Sequence, residues 1–156
     1  MKAIKSRLML IAMLPALFGA SVAHAGDTAQ EARNKKTALA MWQSVIVEGD
    51  PDAVLRYMAP GYIQHNPLLA QGRDALYQAI KAWKTKKNPD PSTGPHTNSR
   101  LIHAFADGDM VVLTWYQDEP DPSAPGKTYT TGGFDMFRFD KDGKIAEHWD
   151  AVRKPK

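Results

Sequence analysis

A handful of residues in this chain have the type and setting for proton-transfer chemistry. Asp135 stands in an otherwise apolar stretch between Phe134 and Phe137, with Phe139 beyond. A carboxylate held in an apolar pocket is pushed toward its neutral form, because burial penalises the charge, and it then works as an acid or base near neutrality. An unpaired Asp135 in such a place is expected to titrate above an ordinary exposed aspartate. The competing reading puts Asp135 on an outer face or pairs it with Arg138. Two further segments hold candidate partners: Tyr62-Ile63-Gln64-His65-Asn66-Pro67 and Glu147-His148-Trp149-Asp150. His65 or His148 is expected within reach of the same bound molecule as Asp135, with Gln64 and Asn66 as polar contacts. Trp42, Tyr62, Trp83, Trp115 and Tyr116 are expected to build core and pocket wall. Asn66-Pro67 is also a turn signal, so His65 has a plain alternative role in satisfying loop backbone groups.

Alternation along the strand groups Asp135, Phe137 and Phe139 on one face and Phe134, Met136 and Arg138 on the other. Both faces are partly apolar, so periodicity leaves the inward face open. The same holds for Glu147 and Trp149 against His148 and Asp150. If Arg138 and Glu147 share a face on neighbouring strands, an ion pair explains both.

The elements that must position these residues fall in a definite order. Thr28-Ala29-Gln30-Glu31 is a capping box, opening a helix with Ala38, Met41, Trp42, Val45 and Ile46 on one stripe. Gly49 stops it, and Asp50-Pro51 starts a short second helix to about Met58, which Pro60-Gly61 should end. A third helix spans about Arg73 to Lys84, with Leu76, Ile80 and Trp83 on one side. After a proline-rich connector at Pro89–Pro95 come strands at Arg100–Ala106, Met110–Gln117, Lys127–Phe139 and Ile145–Val152. Gly132-Gly133 inside the third of these predicts a bulge or sharp bend, hence a strongly curved sheet. Helices followed by an antiparallel meander indicate an α+β fold. A curved sheet wrapped around helices makes a cone, and its open end is a pocket.

Composition narrows the functional classes. The chain has 156 residues, no Cys and a formal net charge of +3. Residues 1–25 carry Lys2, Lys5 and Arg7, an apolar run from Leu8 to Phe18, and Ala23-His24-Ala25 at the end. This is the pattern of a cleavable export signal, too short in its apolar part to span a bilayer. It holds three of the 20 basic residues and none of the 17 acidic ones, so the rest of the chain is formally neutral. A neutral surface gives no footprint for nucleic acid. Residues 26–156 are expected to form one domain, periplasmic or secreted and free of the membrane after cleavage. Thiolate zinc sites are excluded. His65, His96, His103 and His148 have no ligand spacing on one element, so no metal is expected. Phosphate-binding loops, nucleophile elbows and dinucleotide fingerprints are absent.

The Tyr62–Pro67 segment with Gly72 at a helix start, followed by Gly133-Phe134-Asp135-Met136-Phe137-Arg138-Phe139, Asp142-Gly143-Lys144-Ile145 and Glu147-His148-Trp149-Asp150, resembles the SnoaL-like branch of the nuclear transport factor 2-like superfamily. The resemblance implies a cone-shaped α+β barrel that often dimerises through its sheet, here a homodimer. It implies a small apolar ligand or substrate and chemistry without metal or organic cofactor. Its enzymes include aldol-condensing polyketide cyclases, isomerases, dehydratases and epoxide hydrolases; other members only bind a ligand. Asp135 matches the family's acid/base aspartate, three residues before an arginine. The resemblance implies that polar residues such as Gln64 or His65 orient substrate. The chain departs from the characterised cyclases at Thr114-Trp115-Tyr116-Gln117-Asp118, where they carry a histidine. His103, one strand earlier, either compensates or is simply a satisfied core histidine. If the export reading is right, mass spectrometry of the exported protein finds Gly26 as the N-terminus; an intact Met1 in the cytosol refutes it.

Overall fold

The computed structural model describes residues 26–85 and 99–152. The expected export signal at residues 1–25, His96 and the Pro89–Pro95 connector lie outside the described residues. Helix α1 (Ala29–Met41) begins with the expected capping box. The Thr28 N–H donates to Glu31 Oε2 at 2.7 Å, and the Glu31 N–H donates to Thr28 Oγ1 at 3.2 Å. The other Glu31 oxygen accepts the Gly108 N–H at 2.8 Å, which ties the helix start to a turn of the sheet. The helix continues without a break into a wider π-helical segment, Trp42–Val47, closed by the Glu48 N–H on the Gln43 carbonyl. Ala38, Met41, Trp42 and Val45 are buried, as the apolar stripe requires. Gly49, at φ +64°, ends the run in a conformation that glycine adopts without steric cost. Helix α2 (Pro51–Tyr57) is capped by Asp50, whose carboxylate accepts the Asp52 N–H at 3.0 Å, with proline in the first turn.

Strand β1 (Met58–Gln64) contains Pro60 and Gly61 rather than stopping at them. It pairs parallel to the last strand and forms one edge of the sheet, with its pairing interrupted between Met58 and Ile63. An edge strand with a gap in its ladder is where a residue without an N–H does least harm. Helix α3 (Arg73–Thr85) buries Leu76 and Ile80, with Trp83 half-buried. Strands β2 (Arg100–Asp107), β3 (Met110–Pro120), β4 (Thr128–Phe139) and β5 (Ile145–Asp150) form the antiparallel meander. The sheet order is β1-β5-β4-β3-β2, so the antiparallel part gains one parallel edge strand. Its inner face, with Val111, Leu113, Phe137, Phe139 and Ile145, packs with the helices into one core. This is a curved five-stranded sheet with its helices on one side, an α+β fold of the cone type. Among the described residues no helix is long and apolar enough to cross a membrane.

Gly132-Gly133 does not form the expected bulge. The β3–β4 ladder runs unbroken through Tyr116–Gly132 and Trp115–Gly133, and the irregular pairings lie elsewhere, between Leu101 and His103 and between Arg138 and Phe139. The glycines serve a close approach instead. A Cβ on Gly133 would sit 2.6 Å from Cζ2 of the Trp115 indole, and one on Gly132 would sit 3.1 Å from the Trp115 carbonyl oxygen.

Two outcomes follow. Gly133→Ala forces the indole aside, an overpacking cost of about 1–3 kcal/mol. A melting temperature lowered by several degrees is expected, and an unchanged one contradicts the packing argument. Glu31 is held below its ordinary value of 4.5, first by the Thr28 and Gly108 backbone donors. Its charge therefore stabilises the fold above that ordinary value, and the benefit disappears as pH falls through the lower folded value. Urea unfolding of the wild type and Glu31→Gln should differ at neutral pH and converge only in acid, once pH has fallen below the lowered folded value of Glu31.

Candidate functional site

The structure resolves the two open questions of facing. On β4, Phe137 and Phe139 are buried and Asp135 faces a cavity, while Phe134 is 41% exposed. On β5, His148 and Asp150 line the cavity, and Glu147 with Trp149 lie on the opposite face of the strand. Arg138 and Glu147 are register partners and form the ion pair, with Arg138 Nε donating to Glu147 Oε1 at 2.8 Å. That guanidinium, and secondarily His65, holds the Glu147 carboxyl below its usual range.

The cavity measures about 240 Å³ and lies among the π-helical segment, β1, α3 and the strands β3–β5. Met41, Val45, Met58, Leu76 and Trp83 make its apolar walls. Ligand pockets commonly run from about 300 to 1,000 Å³, so this one suits a small molecule. No Lys or Arg is among the described lining residues. A space walled by hydrocarbon and two aspartates disfavours anionic ligands and accepts neutral ones.

Asp135 is not the lone carboxylate expected from the sequence. Its Oδ2 accepts the Trp115 indole N–H at 2.7 Å, and its Oδ1 lies 2.9 Å from His148 Nε2. Neither partner is Arg138 or a lysine. The premise of an unpaired group therefore fails, because the residue across from Gly133 swings its indole toward the carboxylate. His148 Nδ1 lies 3.1 Å from Gln64 Oε1. That oxygen also accepts the Asn66 backbone N–H at 2.9 Å, while Gln64 Nε2 donates to the Tyr62 hydroxyl at 3.0 Å. A backbone N–H can only donate, so the amide orientation is fixed and His148 Nδ1 must carry hydrogen. The contact between Nε2 and Asp135 then contains one proton shared by two groups. Phe137 stacks on the imidazole, with ring centres 5.0 Å apart and planes 17° apart.

Tyr62 is 3% exposed. Its hydroxyl accepts from Gln64 and keeps its own hydrogen to donate. Burial raises its pKa well above the ordinary tyrosine value, and the charges of Asp150 and Asp135 raise it further. It stays a neutral donor under all ordinary conditions. Asp150 accepts the Asn66 side-chain amide at 2.6 Å.

The structure thus gathers Asp135, His148, Gln64, Asn66 and Tyr62 around one cavity. Three other candidates lie elsewhere. His65 is on the outer side of the sheet, 2.8 Å from Glu147 Oε2 and stacked on Trp149 at 4.4 Å. One residue after the inward Gln64, the strand alternation turns it away. Trp42 is 4% exposed in the core and does not line the cavity. Tyr116 alternates outward from Trp115 and lies under the Arg100 guanidinium, 4.6 Å from its ring centre. His103 is likewise exposed and meets Phe105, so it does not supply the missing histidine. Sequence alone marks neither Trp115 as a donor to Asp135 nor Asp150 as a site residue. The one sequence signal for the first was the glycine pair, which makes room for a large side chain on the facing strand.

Among solved structures the chain is similar to TsrD from Streptomyces laurentii, at 24% identity and TM-score 0.53, covering 76% of this chain and 87% of that one. It is similar to a provisionally named polyketide cyclase from Acidithiobacillus ferrooxidans, at 23% identity and TM-score 0.54, covering 76% and 86%. An NTF-2 like protein from Burkholderia xenovorans reaches TM-score 0.56 at 17% identity, covering 83% and 89%. At these identities the likeness is one of fold. No curated protein matches the chain. The family model of the SnoaL-like domain matches residues 38–148, which span the segment from α1 to the inward His148. The chain belongs to the SnoaL-like domain family.

Proposed function

We propose that the protein is an exported catalyst of proton transfer beside a carbonyl group, a lyase or isomerase of the aldol-condensation type acting on a small apolar carbonyl compound. The observation that carries this reading is the Asp135 carboxylate, held between the Trp115 indole and the His148 imidazole in a cavity with apolar walls. In the first step Asp135 removes the proton from the carbon next to the carbonyl, and the bonding pair moves onto oxygen as an enolate. The Tyr62 hydroxyl donates a hydrogen bond to that oxygen, and protonated His148 offsets the growing negative charge. In an isomerisation Asp135 returns the proton at another carbon. In an aldol step the enolate carbon attacks a second carbonyl, and Asp135 gives its proton to the new alkoxide. Atoms and charge balance in both without a cofactor.

A homodimer through the outer sheet face belongs to the same proposal, since Ile102, Phe105 and Phe134 are exposed there. A periplasmic or secreted location rests on residues 1–25 alone. A second reading, a ligand-binding module without turnover, is favoured by one observation. The strand where the characterised cyclases carry a histidine has Trp115, which donates a hydrogen bond but transfers no proton.

Deuterium exchange separates the two. Small apolar ketones incubated with the protein in D₂O should gain deuterium next to the carbonyl, read by mass spectrometry. Asp135→Asn should lower that rate by about 10²–10⁴-fold, with an unchanged circular dichroism spectrum. A ketone that saturates the cavity without exchanging supports the binding module instead.

A further inference from the structure

Asp135 and Asp150 are direct partners across β4 and β5, and both face the cavity. Two carboxylates so placed repel one another unless something positive lies between them, and the described lining has no lysine or arginine to supply it. His148 is the third corner. One oxygen from each aspartate and one ring nitrogen of His148 lie within 4.8 Å of one another.

Each corner is held from outside the triangle by a different residue. The Trp115 indole N–H donates to Asp135 Oδ2 at 2.7 Å, and the Asn66 amide donates to Asp150 Oδ2 at 2.6 Å. The His148 Nδ1–H points to Gln64 Oε1, whose orientation the Asn66 backbone N–H fixes. The tautomer is therefore the one that leaves a lone pair on Nε2, toward the two carboxylates. Outer hydrogen bonds of this kind orient the ligands of metal ions.

We propose that Asp135, His148 and Asp150 bind a first-row divalent cation of the Zn²⁺ type, through one oxygen of each aspartate and Nε2 of His148. Bonds of about 2.0–2.2 Å in a tetrahedral shell set ligand atoms roughly 3.3 Å apart. The Asp135–His148 contact of 2.9 Å needs to open only slightly, and Asp150 closes the triangle by side-chain rotation. The imidazole selects Zn²⁺ and its neighbours over Mg²⁺, which prefers oxygen alone and gives up water reluctantly. A cation on Nε2 takes the place of the proton that the pair otherwise shares. The metal-bound and proton-transfer forms of the site exclude one another, so the cation switches the acid/base pair off. This inference goes beyond the proposed activity and does not depend on turnover. Its ligands come from two strands, which is why histidine spacing on single elements gave no sign of it.

Titration calorimetry of the purified protein with ZnCl₂ tests it, with MgCl₂ in parallel. One Zn²⁺ per chain is expected, with Mg²⁺ at least tenfold weaker. Asp150→Asn and His148→Gln should each weaken Zn²⁺ at least tenfold, whereas His65→Gln, on the outer face, should not. The absence of saturable binding, or an affinity unchanged in both cavity variants, overturns the proposal. X-ray absorption of the wild-type zinc complex needs no variant: a nitrogen and oxygen shell with one imidazole supports the triangle, and any other imidazole count overturns it. Zinc binding without deuterium exchange would sink only the proposed activity. Exchange without zinc binding would sink only this inference.

Discussion

The direction of a single backbone hydrogen bond sets the chemistry of the cavity. The Asn66 N–H has no choice but to donate, and it donates to Gln64 Oε1. From that constraint the Gln64 amide orientation follows, then the hydrogen on His148 Nδ1, then the single proton between Nε2 and Asp135. The chain of bonds ends on the Trp115 indole, another group that can only donate. A network closed at both ends by obligatory donors has little freedom to rearrange, and in a low-dielectric setting each of its bonds counts for more than in water. The rest of the site is arranged around this: Tyr62 is kept neutral, and Asn66 uses its side chain on Asp150 while its backbone holds Gln64.

The sheet separates two kinds of polar chemistry by alternation alone. On β5, His148 and Asp150 belong to the cavity, while Glu147 between them belongs to the outer Arg138–His65 cluster. On β1, Gln64 looks in and His65 looks out. A one-residue slip of either strand would exchange the two sets, and a buried Glu147 would face the cavity without Arg138. The buried apolar residues Phe137 and Ile145 therefore do more than fill the core, because they fix the register on which the site depends.

The elements were legible in the sequence where local chemistry dictates them. The capping box at Thr28, the Asp50-Pro51 start of α2 and the turn at Asp142-Gly143 are each written in a few adjacent residues. The facing of Asp135 was not, since aromatic residues occupy both sides of β4 and only packing against the helices separates them. His65 illustrates the same limit: its type suits the chemistry, and its parity turns it outward. Pro60 reads as a stop when seen alone, and becomes permissible once β1 is known to be an edge strand. Partners of a carboxylate from other strands, such as Trp115, are matters of tertiary contact that composition does not reveal.

The parallel pairing of β1 with β5 has a consequence for how the molecule is assembled. His148 meets Gln64 across 84 residues of sequence, and Asn66 meets Asp150 across the same span. Contacts so distant along the chain cost much loop entropy and form late. A chain that has folded its helices and its first hairpin still has no cavity wall on the β5 side. The last strand supplies His148 and Asp150 together with the seam that seats β1, so the cavity is closed only when the final strand is in place.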